Sequence, residues 1–319
     1  MKGGKLIGNG NYGCVFDPPL QCNDDKVNDN DSVGKVFFKD SEYNDEIKEM
    51  NKVMELDPKH TFTIPVINNC KVKANDALTF KSDKCDINVN SIQIIYPNGG
   101  NDLNKVQNMN IDILYSFLNI IKGLRVMHIK NYIHGDIKPG NILYHEVKNE
   151  LKLIDFGFAS IADTVFKENS TIFNIMNAQY PYFPPEYFWF MYNTKVGKHP
   201  DDALLKEHFS KTFSGIYALL DFKAYNIHVE SSLSKLCSIM NDLKILESRS
   251  WQVIACKADV YGLGIALMEV VNKIDDDLKN KSILFMVRSV ITHMIEPCVF
   301  DRWDINQVYV AWKEIVSFK

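Results

Sequence analysis

The chain has 319 residues, of which 46% are hydrophobic and 24% are charged, and its formal net charge is −4 at pH 7. These values are typical of a folded globular protein and give no basic field that would attract nucleic acid. No apolar run approaches the roughly 20 residues that a membrane-spanning helix needs, and the N-terminal sequence lacks the apolar core of a signal peptide. We therefore expect a protein that binds neither nucleic acid nor a membrane.

The seven cysteines have no regular spacing. An odd number without any C-x-x-C pair is not typical of a disulfide framework or of a zinc site. A metal site formed by Cys22, Cys70 and Cys85 stays open as the alternative. We expect small buried thiols in a reducing compartment, which predicts a cytoplasmic location.

The chain begins with two strand patterns that flank a glycine-rich turn. In the stretch KLIGNGNYGCVF, the pattern G-x-G-x-x-G-x-V is formed by Gly8, Gly10, Gly13 and Val15. Glycines let backbone N–H groups approach a phosphate closely. Dinucleotide-binding folds share the three glycines, but there the turn opens a helix. Here the chain continues as a strand and Pro18-Pro19 blocks a helix, so we predict a phosphate-binding hairpin.

Two further strand patterns follow in the first third of the chain. Residues 32–38 read SVGKVFF, with Lys35 inside the strand. A single lysine in a strand usually faces solvent, so its position alone does not indicate a function. The apolar run IQIIY at residues 92–96 includes Ile94 and is typical of a buried strand.

Residues 41–56 form a helical pattern between these strands. Ser41 is the predicted N-cap, and Asp57-Pro58 ends the helix because proline cannot continue it. Three carboxylates share one face of this helix at i, i+4 and i+7 spacing, those of Glu42, Glu46 and Glu49. The face is either solvated or supplies an acidic partner for a basic group.

The centre of the chain carries a dense group of polar residues. An amphipathic helix predicted at 111–130 leads into HGDIKPGNIL, which contains Asp136, Lys138 and Asn141, and the sequence DFG begins at Asp155. Carboxylate and amide oxygens are hard ligands that suit Mg²⁺, which proteins commonly share with phosphates. With Asp136 as a proton acceptor and Lys138 as a cation for the phosphoryl group, these residues suit phosphoryl transfer.

HGDIKPGN followed by DFG resembles the catalytic and metal-binding loops of eukaryotic-type protein kinases, and G-x-G-x-x-G-x-V resembles their glycine-rich loop. The resemblance extends over nearly the whole chain. It implies an α+β, bilobal protein kinase fold, with a small β-rich N-lobe in residues 1–98 and a large helical C-lobe in residues 99–319.

The resemblance also implies ATP and Mg²⁺ as cofactors and assigns a role to each candidate residue. Asp136 is the catalytic base beside Lys138, while Asn141 and Asp155 hold the metal. The nucleotide-binding residues that it implies are Gly8, Gly10, Gly13, Val15, Lys35, Glu46 and Ile94. Among these, Lys35 grips the α- and β-phosphates, Glu46 is its helical partner with Glu49 as the alternative, and Ile94 guards the back of the adenine pocket.

Three positions further along the chain resemble structural positions of the family. The sequence YFPPE, which ends at Glu186, resembles the A-P-E closure of the activation segment, and Arg302 stands where the family keeps its arginine partner. Asp259 begins a strongly apolar stretch, 257–271, and resembles the carboxylate that anchors the catalytic loop. Residues 187–256 exceed the usual family gap, and we interpret them as a helical insertion, either a neutral addition or a docking surface.

Lys138 is the serine/threonine-kinase form of the motif, which implies a protein substrate; no oligomeric state is indicated. The sequence GNYGCVFDPPLQC at residues 10–22, with ELDP at residues 55–58, resembles kinases encoded by giant DNA viruses. This resemblance implies host cytoplasm or a virion as the location. Two residues depart from the family pattern, Gly135 in place of arginine and Gln179 in place of threonine. Small-molecule phosphotransferases also carry H-G-D, and a nucleotide-binding pseudokinase scaffold is the third alternative.

Gly135 removes the arginine that usually receives an activation-segment phosphate. We therefore expect activity to be independent of phosphorylation at Thr164, Ser170 or Thr171.

Overall fold

A computed structural model describes residues 4–10, 13–23, 31–73, 85, 87, 90–166, 180–217, 223–242, 248–275, 277 and 280–318. The chain divides into two compact units. One unit, termed the sheet unit, comprises Met1–Gly100 and Lys152–Gly157. The other, termed the helical unit, comprises Asn101–Leu151 and Phe158–Lys319.

The sheet unit is built on strands that pair in the order β1-β2-β3-β5-β4. The strands are β1 Lys5–Gly10, β2 Gly13–Asp17, β3 Ser32–Phe37, β4 Asn68–Lys71 and β5 Ile92–Pro97. Each neighbouring pair is antiparallel. Phe16 of β2 and Val36 of β3 are fully buried in one apolar cluster with Leu20 and Val72. The strands predicted from the glycine-rich turn and from residues 32–38 and 92–96 are confirmed.

Helix α1 spans Asp40–Leu56, so its predicted end is confirmed and its predicted N-cap is wrong. The residue before the helix is Lys39, whose backbone N–H donates to Glu42 Oε2 at 3.2 Å. A carboxylate at the third helical position satisfies a backbone N–H that has no partner within the helix. Glu42 therefore fixes the start of α1, and Ser41 lies inside the first turn.

Four of the seven cysteines form disulfides in the sheet unit, which corrects the prediction of buried thiols and removes their argument for a reducing compartment. Cys22, Cys70 and Cys85 are all disulfide-bonded and do not form the alternative metal site. Cys14 is bonded to Cys85, and Cys22 is bonded to Cys70. These pairs are 71 and 48 residues apart in sequence, and the sheet brings their Cα atoms to 6.1 and 5.6 Å. Sequence spacing cannot reveal such long-range pairs. Free thiols remain at Cys237, Cys256 and Cys298.

The helical unit contains α2 Asp112–Ile129, α3 Pro185–Val196, α4 Asp202–Tyr217, α5 Lys223–Asn241, α6 Ser248–Val271, α7 Lys281–Met294 and α8 Ile305–Ser317. Its short strands are β6 Asn101–Asp102, β7 Tyr132–Ile133, β8 Ile142–His145, β9 Glu150–Leu153 and β10 Ser160–Ile161, and the division between the units falls within β9. These strands pair in the orders β6-β8-β9 and β7-β10. A sheet followed by a mainly helical part confirms the predicted α+β class.

Helix α2 presents the buried face that its periodicity predicted. The buried residues of this face are Leu114, Phe117, Ile121, Leu124 and His128. Trp312 of α8 packs against it, because its indole N–H donates to the Leu114 carbonyl oxygen at 3.0 Å and its ring meets Phe117 edge-on. The helix that precedes residues 134–143, termed the catalytic motif after the kinase resemblance, is thus fixed in the core of the helical unit.

Helix α6 is buried almost all round over residues 258–271, as its composition predicted. The helix begins at Ser248 and not near Lys257, because residues 248–256 contain no glycine or proline that would stop it. Asp259 therefore lies within the helix. None of the helices in the described part of the chain has both the length and the apolar character that crossing a bilayer requires.

Within residues 187–256 the sequence has helical periodicity over 201–220 and 231–247, each with a polar start, which predicts two helices. Helix α4 begins at Asp202, close to its predicted start, whereas α5 begins at Lys223. One apolar face of α5 continues across position 231 at 3–4 spacing and is formed by the buried Val229, Leu233, Leu236 and Met240. Residues 218–220 and 243–247 of the predicted helices lie outside the described residues.

A buried ion pair joins the start of α3 to the segment before α8. The guanidinium of Arg302 donates to Glu186 Oε1 and Oε2 at 2.6 and 3.0 Å, and neither side chain is exposed. Arg302 also donates to the carbonyl oxygens of Glu296 and Pro297, so its charge is fully hydrogen-bonded. The predicted pairing of Arg302 with Glu186 is confirmed.

The double variant Cys22→Ala, Cys70→Ala is expected to lower the free energy of unfolding by about 2–5 kcal/mol, because the disulfide closes a long loop in the unfolded chain. Denaturant unfolding of the oxidised proteins measures the loss. Cys256→Ala, which removes a free thiol, is the control and should have a much smaller effect. Equal stability of the double variant and wild type would contradict the disulfide.

Arg302→Ala is expected to cost about 3–5 kcal/mol of folding free energy, because it leaves the buried Glu186 charge without its partner. The matched control is Lys235→Ala, whose ion pair with Asp301 leaves the two side chains 51% and 44% exposed. An exposed pair is worth at most about 1 kcal/mol. Chemical denaturation of both variants gives the comparison, and similar losses would mean that the buried pair is not special.

Candidate active site

The glycine-rich turn joins β1 to β2, with Gly10 opposite Gly13 in the strand register. Residues 11–12 at the tip lie outside the described residues. Gly13 is required by its neighbours, because a Cβ there would lie 2.1 Å from the Val36 carbonyl oxygen. A Cβ at Gly8 or Gly10 would meet nothing closer than 3.5 Å. Protein packing therefore does not demand glycine at these two positions, whereas close approach of a ligand would.

Three candidate nucleotide-binding residues lie side by side across the sheet. Lys35 of β3 stands opposite Val15 of β2 on one side and opposite Ile94 of β5 on the other. Directly opposed residues of antiparallel strands share one face of a sheet. Ile94 is fully buried, while Val15 and Lys35 are half-buried. Strand pairing thus gathers three positions that are far apart in sequence into one row.

Lys35 also contacts helix α1. Its Nζ lies 2.7 Å from Glu46 Oε2, so Glu46 and not Glu49 is its ion-pair partner. The hydroxyl of Tyr96 donates to Glu46 Oε1 at 3.0 Å, and burial together with the Glu46 charge raises the pKa of Tyr96 well above its ordinary value. Sequence reasoning missed Tyr96. The available signal was its position two residues after Ile94, which puts both on one face of β5.

Asp155 belongs to the sheet unit, where it is exposed and has a φ of 61°. Nearby Glu49 is partly buried, and this burial, with the charges of Glu46 and Asp155, raises the pKa of Glu49 from 4.5 to about 7. Burial is the larger cause, and repulsion from Glu46 and Asp155 adds to it, so three carboxylates lie near one another at this place. A divalent cation with hard oxygen ligands would offset their charge, so the surroundings of Asp155 fit Mg²⁺.

In the helical unit, the catalytic motif folds back on the carboxylate of Asp136. Its Oδ2 accepts from Lys138 Nζ at 2.6 Å and from Asn141 Nδ2 at 2.9 Å. A 3₁₀ turn over Pro139–Asn141 returns Asn141 to this position, and Nδ2 also donates to the Asp136 carbonyl oxygen. The amide nitrogen of Asn141 is thereby used within the loop. Its Oδ1 remains as a hard oxygen donor of the kind that Mg²⁺ binds.

Tyr180 is a further residue of this site that sequence reasoning missed. Its hydroxyl donates to Asp136 Oδ1 at 2.8 Å, and Lys138 Nζ lies 5.5 Å from the centre of its ring. The family's threonine position was expected at Gln179, which lies outside the described residues. No periodic pattern predicts the contact, because it joins residues 44 positions apart.

Asp259 of α6 holds the backbone of the catalytic motif. Its Oδ2 accepts from the His134 N–H at 2.8 Å, and its Oδ1 accepts from the Gly135 N–H at 2.9 Å. His128 Nε2 of helix α2 lies 3.1 Å from the same carboxylate. These contacts place Asp259 where the kinase resemblance expected an anchoring carboxylate.

Gly135 adopts a φ of 80°, a conformation that side chains rarely adopt. A Cβ at this position would also lie 2.7 Å from the carbonyl oxygen of Phe158. The glycine in place of the family's arginine thus has a packing role of its own. Of the segment's three candidate phosphorylation residues, Thr164 donates to the Ile161 carbonyl oxygen at 2.7 Å, whereas residues 170–171 lie outside the described residues.

The family model for the protein kinase domain matches residues 1–201 of the chain. The chain belongs to the protein kinase family. The match covers the glycine-rich turn, the catalytic motif and the whole of α3. The anchoring carboxylate Asp259 and the arginine Arg302 lie beyond it, so the structure extends the family comparison by two positions.

The chain is also similar to individual serine/threonine kinases. It is 29% identical over 133 residues to serine/threonine-protein kinase ppk13 of Schizosaccharomyces pombe, covering 39% of this chain and 38% of that kinase. It is 25% identical over 158 residues to serine/threonine-protein kinase HAL5 of Candida glabrata, covering 49% and 18%. Human mitogen-activated protein kinase 13 is 37% identical over 73 residues, covering 22% and 20%. The aligned part thus spans well under half the length of each of these relatives.

Gly135→Ala is expected to destabilise the helical unit by more than the roughly 1–2 kcal/mol that a side chain costs in the left-handed region, because Phe158 must also shift. The matched control is Gly197→Ala, because Gly197 has a φ of 69° and no atom lies within 4 Å of the place that a Cβ would take. Denaturant unfolding of both variants separates the two costs. Equal losses would show that the close contact with Phe158 has no energetic weight.

Proposed function

We propose that the protein is a serine/threonine protein kinase that transfers the γ-phosphate of ATP to hydroxyl groups of a protein substrate. The observation that carries the proposal is the carboxylate of Asp136, which is hydrogen-bonded to both Lys138 and Asn141. A phosphoryl-transfer site needs an oriented proton acceptor, a cation and a metal ligand at close quarters. This loop brings these three groups together.

The chemistry assigns one step to each residue of the loop. Asp136 accepts the proton of the attacking hydroxyl, which forms a bond to the γ-phosphorus as the bond to the β–γ bridging oxygen breaks and ADP leaves. Lys138, 2.6 Å from Asp136, neutralises charge on the phosphoryl group during transfer. Asn141 orients Asp136 through its Nδ2 and offers Oδ1 to a metal ion.

The sheet unit supplies the residues for the nucleotide. Gly8, Gly10 and Gly13 cover the phosphates through backbone N–H groups, and Lys35 contacts the α- and β-phosphates while Glu46 holds its ammonium group in place. Val15 and Ile94 flank Lys35 in the strand register. Val15 offers apolar surface to the adenine, and the buried Ile94 closes the back of its pocket. Bound Mg²⁺, held by Asn141 and Asp155, would offset the phosphate charge.

In this proposal residues 1–98 form the kinase N-lobe and residues 99–319 the C-lobe. Residues 187–256, which include α4 and α5, are a helical insertion in the C-lobe. Such an insertion offers surface for a partner without changing the catalytic loop.

Two other functions are compatible with single features of the chain. The H-G-D sequence at residues 134–136 is shared with small-molecule phosphotransferases, yet the Pro-Pro-Glu closure with its buried arginine favours a protein kinase. A nucleotide-binding scaffold without activity is disfavoured because Lys35, Asp136, Asn141 and Asp155 are all present. Incubation of the protein with radiolabelled ATP and either casein or an aminoglycoside distinguishes the three.

The amino-acid sequence around the glycine-rich turn supports the proposal that the protein is a kinase encoded by a giant DNA virus. A kinase of this kind would act in the host cytoplasm or within the virion. Proteomic detection of the chain in purified particles would test this part of the proposal.

Asp136→Asn is expected to reduce phosphate transfer to casein by about 100-fold or more, because it removes the proton acceptor. Asp155→Ala should reduce transfer by a comparable factor because it removes a ligand of the metal ion. Lys35→Met should do so because it removes the contact with the α- and β-phosphates. Transfer is measured with radiolabelled ATP and Mg²⁺ at several concentrations of each.

Lys71→Met is the matched control for the lysine variant, because Lys71 is exposed on the edge strand β4. It should transfer phosphate like wild type. The melting temperatures of Asp155→Ala, Lys35→Met and Lys71→Met should stay close to that of wild type, since Asp155 and Lys71 are exposed and Lys35 is only half-buried. Wild-type rates in any of the three site variants would show that the site is wrongly assigned.

A further inference from the structure

The acceptor side of the candidate catalytic base is occupied by the protein itself. The hydroxyl of Tyr180 donates to Asp136 Oδ1 at 2.8 Å, while Oδ2 accepts from Lys138 and Asn141. The Asp136 side chain is only 4% exposed. Very little of the carboxylate is therefore accessible to a molecule that arrives from solvent.

A hydroxyl that is to be phosphorylated must donate its proton to the same carboxylate. A catalytic base acts over a hydrogen-bond distance of about 2.6–3.2 Å. Because Oδ2 already accepts two donors from the loop, Oδ1 is the oxygen suited to an acceptor hydroxyl. The phenol of Tyr180 holds this position with the geometry that an acceptor would need.

The ring of Tyr180 is held independently of its hydroxyl. It meets the ring of Phe183 with centroids 4.7 Å apart and the ring of Tyr182 at 5.2 Å, both nearly edge-on. The ammonium group of Lys138 lies 5.5 Å from the ring centre. Replacing tyrosine by phenylalanine would keep these contacts and remove only the hydrogen bond to Asp136.

We propose that Tyr180 is an intramolecular competitor for the acceptor-hydroxyl position, which a protein substrate must displace before transfer. The inference rests on the proposed kinase function. Only molecules in which Tyr180 is withdrawn from Asp136 bind the acceptor hydroxyl productively. The apparent affinity for the protein substrate is therefore the intrinsic affinity multiplied by the fraction of such molecules.

The same hydrogen bond could instead assist transfer by orienting Asp136, and this role leads to a different kinetic effect. If the Tyr180 hydroxyl served to orient Asp136 during transfer, its loss would lower kcat. A competitor affects the KM for the protein substrate and leaves kcat and the KM for ATP unchanged. The division of the effect between KM and kcat therefore decides between the two roles.

The experiment compares Tyr180→Phe with Tyr182→Phe, using casein as the protein substrate. Tyr182 is the matched control, because it lies in the same ring cluster but its hydroxyl donates to Glu269 and not to Asp136. Tyr180→Phe should lower the KM for casein about tenfold at unchanged kcat, the effect of one hydrogen bond to a charged group. Tyr182→Phe should not lower it.

An unchanged KM in Tyr180→Phe, or a fall in kcat, would overturn the inference while leaving the kinase function intact. Failure of the proposed function has a different signature, in which wild type transfers no more phosphate to casein than Asp136→Asn. In that case neither statement stands. Thermal unfolding of both tyrosine variants verifies that the fold is preserved.

Discussion

The carboxylate of Asp259 fixes the part of the chain on which the candidate active site depends. It is buried within α6 and accepts hydrogen bonds from the backbone N–H groups of His134 and Gly135, at 2.8 and 2.9 Å. Buried backbone N–H groups require partners, and here a side chain supplies them where no strand or helix does. Because α6 is surrounded by close-packed core, the turn before Asp136 is tied to an element that cannot shift without disturbing that core.

The same logic holds for the second buried charge of the helical unit. Glu186 lies in the first turn of α3 and has no exposed surface, so its negative charge depends on its ion pair with Arg302. A buried ion pair contributes little more net stability than an apolar pair, but removing one partner is costly because the other charge stays buried without compensation. The two carboxylates thus act as fixed points for the two segments that flank the site, the catalytic motif and the end of the activation segment.

Sequence reasoning predicted those parts of the site that are local or that match a family motif. The Lys35–Glu46 and Glu186–Arg302 pairs belong to the second kind, since no periodicity links residues so far apart. The strands and the buried faces of α2 and α6 follow from periodicity alone. The start of α5 was misplaced because a polar residue at 231 resembled a cap, although the apolar face continues past it. The disulfides and Tyr180 were missed because packing between distant segments determines them.

The contact between Tyr180 and Asp136 joins two segments that are each fixed to the same helix. The catalytic motif is held by Asp259, and the hydroxyl of Tyr182 donates to Glu269 at 2.8 Å, ten residues or roughly 15 Å further along α6. The chain beyond Tyr182 is held again at Glu186. With both segments anchored independently, the Tyr180 side chain can leave Asp136 while the backbone that follows it, residues 181–186, stays in place. Release of the carboxylate then requires the loss of the Tyr180 hydrogen bond and of the ring contacts with Tyr182, Phe183 and Lys138. A substrate hydroxyl regains the free energy of the hydrogen bond by making the same bond to Asp136.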